Sequence, residues 1–285
     1  MAPTPRLLVF LLVFCGALTA AFAQPKLAVP YGNNPSAGAT AELNGIKLYY
    51  ETYGSGEPLL LFHGNSQNIG ALGYQIEFFA KTHRVIAVDS RGHGKSEWGT
   101  APFTFDQMAE DANALLDHLQ IKSTAIIGWS DGGNVGLLLA MRHPAKVSKL
   151  AIMGANLAPL GAYDYAAVSV FRRIPDYDAK IAAGDTAQPW KKFRAYLDLL
   201  AFQPNIAPFS LKQIEAAVLV MAGDKDVIRP EHTQLIFESL PKAHLAIFPG
   251  ATHMIPWEDP VLFNATVAKF LREPYARPDT KNYIK

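Results

Sequence analysis

Six short apolar runs punctuate the chain: Leu59–Phe62, Val85–Val88, Ala125–Ile127, Leu150–Met153, Val218–Met221 and Leu245–Phe248. None alternates with polar residues, so each is expected to be buried on both faces. That is the mark of strands in a parallel sheet rather than a half-solvated one. Stretches with helical spacing lie between them: "FTFDQMAEDANALLDHLQ", "GGNVGLLLAMRHP", "RPEHTQLIFESLP" and "DPVLFNATVAKFLRE". Ahead of the first run, Asn44-Gly45 divides two alternating segments, a two-residue hairpin signal. The pattern predicts an α/β fold: a mainly parallel central sheet, an N-terminal antiparallel hairpin and helices on both faces. The rhythm breaks over about 156–214, where prolines and aromatics replace strand-like runs. A small helical lid over the C-terminal edge of the sheet is expected there.

Residues 1–23 stand apart from the fold. One Arg precedes an apolar run from Leu7 to Phe14, and small residues lead to Ala23. This is the pattern of a secretory signal peptide, with cleavage after Ala23. The run is short for a membrane span, and the bulky Phe14 before Cys15 speaks against lipoprotein processing. Export to a periplasm or the medium is expected, with no stable membrane anchor. Residues 24–38, rich in Pro, Gly and Asn, read as a loose extension, 39–273 as the domain and 274–285 as a tail. A chain of 285 residues that is 49% hydrophobic suits one large domain. Cys15 is the one cysteine, so the mature chain offers no disulfide, thiol nucleophile or cysteine metal ligand. Loss of Arg6 leaves 25 Lys and Arg against 25 Asp and Glu, and a neutral chain has no pull toward nucleic acid.

The chemistry gathers where strands end. In "AIIGWSDGG" a strand turns sharply into a helix at Ser130, flanked by Gly128 and Gly132. Such a turn lifts the serine hydroxyl clear of the sheet as a nucleophile and aims a helix N-terminus at the reaction centre. The backbone N–H groups of Asp131 and of Asn65, in "LLLFHGN", are the expected oxyanion donors. His63 reads as a loop tie rather than a base. In "AVLVMAGDKDVIRPEH" an acid follows a buried strand; Asp226 is preferred to Asp224 for orienting a histidine. In "LAIFPGATHMIPWEDP" a glycine loop carries His253, the expected general base. Of the remaining histidines, His83, His93, His118, His143 and His232 sit in ordinary contexts, and His244 reads as a solvent-facing strand residue. "DSRGHGKS" lacks phosphate-loop spacing and reads as a charged loop bracing the serine turn. No metal-ligand motif and no nucleotide loop is found, so no metal or cofactor is expected.

The order Ser130, Asp226, His253 matters. With "HGN", "DSRGHGKS", "GWSDGG", "GDKDVIRP" and "GATHMIPWEDP", it makes the chain resemble the α/β-hydrolase fold family from about residue 40 to 273. Among its branches "HGNS" with "GWSDGG" is most similar to biphenyl-hydrolase-like and valacyclovir-hydrolase-like proteins, which cleave esters. The resemblance implies a serine esterase acting on a small-molecule ester through an acyl-enzyme. A cofactor-free C–C bond hydrolase or perhydrolase with the same triad is the alternative. A serine at the turn argues against dehalogenase or epoxide-hydrolase chemistry, which place an aspartate there. Trp129 and Asp131, beside the serine, are candidate substrate contacts. The resemblance implies that the Asp131 carboxylate would meet a cationic group; the simpler reading is that it caps the helix. The lid aromatics, Phe171, Tyr177, Trp190, Phe193, Tyr196 and Phe202, suggest an apolar substrate or a packed lid.

Overall fold

The computed structural model describes residues 27–284; the signal-peptide expectation and Cys15 lie outside them. The hairpin forms as its sequence requires. Strands β1 (Gly38–Leu43) and β2 (Ile46–Tyr53) pair antiparallel across Asn44 and Gly45, both at positive φ. That is the mirror-image turn whose twist matches the strands. Six more strands follow: β3 (Pro58–Phe62), β4 (Arg84–Val88), β5 (Thr124–Trp129), β6 (Val147–Met153), β7 (Ala217–Lys225) and β8 (Ala243–Thr252). The eight form one sheet in the order β1-β2-β4-β3-β5-β6-β7-β8, parallel from β4 onward. Parallel strands put all their C-terminal ends on one edge, where ligand crevices in such sheets form.

Helices cover both faces: α1 (Gly73–Phe79), α2 (Phe105–His118), α3 (Asp131–Arg142), α4 (Asp164–Ala182), α5 (Trp190–Phe202), α6 (Pro230–Ser239), α7 (Ile255–Glu258) and α8 (Pro260–Arg272). The apolar runs divide by parity between two cores. Leu60, Phe62, Ile86, Ile126 and Ile152 join the side of α2 and α3, whereas Leu59, Leu61, Val85, Ile127 and Met153 join that of α1 and α8. Each fully buried Leu or Ile contributes about 1.5–3 kcal/mol. Between β6 and β7 the chain adds α4 and α5, and no strand enters the sheet. Among the described residues no helix is long and apolar enough to cross a membrane.

Three expectations need correction. First, β8 is not buried on both faces. It is the last strand, and Leu245 (40%) and Ile247 (45%) are exposed. His244 turns the other way, onto Phe270 and Tyr275, and is half-buried rather than simply solvent-facing. A short apolar run reads alike in the middle of a sheet and at its edge. Second, the segment before β1 is not loose. Glu51, fully buried on β2, accepts hydrogen bonds from Gly32 N (2.8 Å), Asn34 N (3.0 Å), Tyr49 Oη (2.8 Å) and Tyr53 Oη (2.7 Å). Four donors replace the water that a buried carboxylate has lost. Tyr31 also packs edge-on against Tyr53. Third, Arg91 of the glycine loop does not brace the serine turn. It pairs bidentately with Asp111 on α2, at 2.7 Å for both bonds, and its guanidinium also reaches the carbonyl of Asn44 in the hairpin turn.

Candidate active site

Ser130 stands between the end of β5 and the start of α3 with φ 56° and ψ −119°. A serine in this region carries about 1–3 kcal/mol of strain, which surrounding structure must hold. Its N–H donates to Met153 O at 2.7 Å, and its carbonyl accepts from Gly133 N at 2.8 Å. The flanking glycines answer to space. A Cβ on Gly128 would run into the carbonyl of Gly132, and one on Gly132 into that of Phe62.

His253 lies on the loop after β8, and its Nδ1 is 2.7 Å from Asp226 Oδ1 beyond β7. The same oxygen accepts from Ile228 N at 3.0 Å. A carboxylate can only accept, so the imidazole proton is assigned to Nδ1, and Nε2 keeps its lone pair. Asp224, the other acid, is exposed. Burial alone would lower the His253 pKa, but the charge and hydrogen bond of Asp226, with Asp131 and Glu258 behind them, raise it. The ring has room because residue 154 is glycine: a Cβ there would sit 2.5 Å from Cε1 and 2.6 Å from Nδ1.

Trp129 is not a substrate contact. It is 1% exposed, stands edge-on to Trp257 and donates from Nε1 to His253 O at 2.9 Å. The indole therefore holds the histidine loop from beneath. Sequence gave no sign of this, since a strand-end tryptophan looks the same whether it faces cleft or core.

The loop after β3 passes close to the serine: a Cβ on Gly64 would lie 3.2 Å from Ser130 Cβ. His63 ties this loop down. Its Nδ1 donates to Gly64 O (2.8 Å) and its Nε2 accepts from Ser90 N (3.1 Å). Burial pushes its pKa down to about 4. Next to it, the Asn65 amide donates to Asp131 Oδ2 (2.9 Å) and to Tyr196 O on α5 (3.2 Å). The expectation that the Asp131 carboxylate caps its own helix is corrected: it joins α3 to the Asn65 loop instead. Burial raises its pKa to about 6, against the pull of Asn65 and His253. Tyr196 is the lid aromatic that reaches the sheet edge. It donates from Oη to Gly92 O (2.7 Å) and stacks on His93 with ring centroids 4.4 Å apart. Of the other lid aromatics, Trp190, Tyr177 and Phe193 pack on one another, while Phe171 and Phe202 are exposed.

The sheet edge thus brings together Ser130, Asp226, His253, Asn65 and Asp131. An open cleft of about 970 Å³ lies elsewhere, at the Met141–His143 end of α3. Among the described residues no group of three or more His, Cys, Asp or Glu is placed to hold a metal ion.

Fold and site together define an α/β-hydrolase enzyme. Residues 57–191 match the family described as alpha/beta hydrolase fold. The chain is 27% identical over 256 residues to serine hydrolase BPHL of Mus musculus, covering 82% of this chain and 86% of that protein. It is 27% identical over 285 residues to 2-hydroxymuconate semialdehyde hydrolase of Pseudomonas sp. strain CF600, covering 85% and 96%. Among solved structures, Est816, described as an N-acyl homoserine lactone degrading enzyme, is 26% identical with TM-score 0.67, covering 81% of this chain and all of that one.

Proposed function

We propose that the chain is a serine carboxylic-ester hydrolase for small esters. Ser130 is the nucleophile, His253 the general base and Asp226 its orienting acid. His253 Nε2 takes the hydroxyl proton as Ser130 Oγ attacks the carbonyl carbon. The backbone N–H groups of Asn65 and Asp131 hold the oxyanion. His253 then protonates the leaving alcohol, and water, deprotonated by the same imidazole, releases the acid. The observation that carries this reading is the 2.7 Å bond from His253 Nδ1 to Asp226 Oδ1 on the edge where Ser130 stands at positive φ. Hydrolysis of p-nitrophenyl acetate and labelling by a serine-reactive phosphonate test it. Both should be lost in Ser130→Ala; an inactive, unlabelled wild type overturns it.

C–C bond hydrolysis by the same residues is a second reading, favoured by the likeness to 2-hydroxymuconate semialdehyde hydrolase over 96% of that protein. Faster turnover of 2-hydroxymuconate semialdehyde than of small esters would select it. On the sequence of residues 1–23, the enzyme is exported and begins at Gln24. N-terminal sequencing of protein recovered from periplasm or medium is the check.

A further inference from the structure

Asn65 enters the proposed mechanism through its backbone N–H. Its side chain is a separate matter. The amide donates in two directions, to Asp131 Oδ2 at 2.9 Å and to Tyr196 O at 3.2 Å. Asp131 follows Ser130 and opens α3, whereas Tyr196 lies in the middle of α5, in the excursion between β6 and β7. The Asn65 side chain therefore spans the serine turn on one side and that excursion on the other. The α5 end of the bridge is firm. Tyr196 is 6% exposed, donates to Gly92 O at 2.7 Å and stacks on His93, itself 2% exposed. The Asp131 end is also firm, with the residue 7% exposed and the Asn65 amide as its described hydrogen-bond donor. The backbone between these anchors is under constraint too: Ser66, next to Asn65, has φ 55°.

We infer that the Asn65 side chain is a positioning residue that makes the oxyanion hole depend on where α5 sits. This role rests on the ester-hydrolase reading above. With α5 docked, both amide hydrogens are engaged, and the Asn65 backbone N–H is held at the height of the Asp131 N–H. When α5 lifts, one tie is lost, the loop relaxes and one of the two oxyanion donors drifts. An offset of about 1 Å at such a donor costs on the order of 100-fold in rate. Ground-state binding is little affected, because the donor acts on charge that develops in the transition state. The enzyme thus assembles its oxyanion hole only when α5 covers the site, which keeps the acyl-enzyme chemistry under cover.

Three variants test this. Asn65→Leu keeps the bulk and removes both donors; Asn65→Ala removes both; Tyr196→Phe loosens α5 at Gly92 without touching Asn65. On p-nitrophenyl acetate, both Asn65 variants should lose about 30- to 100-fold in kcat with KM within about threefold. Tyr196→Phe should lose about three- to tenfold in kcat, again at unchanged KM. Amide hydrogen exchange across residues 190–202 should quicken about tenfold in all three. Wild-type kcat in Asn65→Leu would show that the amide only fills space and would overturn the inference. So would slowed catalysis with exchange in 190–202 unchanged. A raised KM at constant kcat would assign Asn65 to substrate binding and overturn it equally. The exchange measurement needs no substrate. If wild type hydrolyses no ester yet exchange quickens in the variants, the bridge stands and the ester reading falls.

Discussion

The indole of Trp129 donates to the carbonyl of His253 at 2.9 Å, so the residue before the serine holds the loop that carries His253. The residue before Ser130 and the histidine loop are thus tied by a direct bond beneath the site, although 124 positions separate the two partners. Trp129→Phe keeps the ring packing and removes that bond. It should lower kcat about tenfold with KM unchanged and cost about 1 kcal/mol of stability. Steady-state kinetics and urea unfolding check both numbers. Trp129→Ala adds a cavity and should cost about 3–5 kcal/mol.

The pH profile follows from His253. Its pKa is raised above the ordinary 6.5 by Asp226, Asp131 and Glu258 acting against burial. As the proposed base, His253 works only when neutral, so kcat/KM should rise with pH through a midpoint above 6.5. Asp226→Asn removes the strongest of these charges. Its acid limb should move to lower pH while the plateau falls by about 10⁴-fold. A limb that stays in place in the variant would detach Asp226 from the base.

Stability at low pH should follow His63. Its folded-state pKa is about 4 against an ordinary 6.5. Between those values the unfolded chain binds the extra proton, so stability is full above 6.5 and is lost as pH falls toward 4. Burial lowers the pKa of His93 and His232 as well, and both act with the same sign. Asp131, raised to about 6, acts with the opposite sign over the lower part of this range, so the check is comparative. Thermal melts from pH 7 to 4 should lose less stability at the acid end in His63→Gln, where an amide replaces the titrating ring, than in wild type.

Lys149 caps α8 from a distance, donating from Nζ to the carbonyls of Phe270, Leu271 and Glu273 at 3.0, 2.7 and 2.6 Å. Lys149→Met keeps the stem and leaves those acceptors to water. It should lower stability by about 1–3 kcal/mol without changing the ester kinetics, read from urea midpoints.

How far the sequence carried the structure depends on what each residue announces. Strands and hairpin were legible because apolar runs and Asn44-Gly45 impose local geometry. Gly128 and Gly132 were legible for the same reason: a sharp turn demands them wherever the rest of the chain goes. What escaped were relations across long separations. Trp129 turned inward to a carbonyl, and Asp131 met Asn65 across 66 positions. Gly154 cleared space for a ring that arrives 99 positions later, and nothing in "MGAN" tells it from an ordinary loop glycine. The segment before β1 misled because its loop-like composition is real. What holds it is Glu51, a residue that by itself predicts exposure.

Glu51 also decides where this protein may be cut. A gene trimmed to start at the first strand would discard the Gly32 and Asn34 amides and leave their carboxylate facing two tyrosines alone. Such a product should express poorly, although every strand and every proposed catalytic residue is still encoded. The unit that folds begins upstream of the unit that pattern alone would recognise, and one buried acid draws the line.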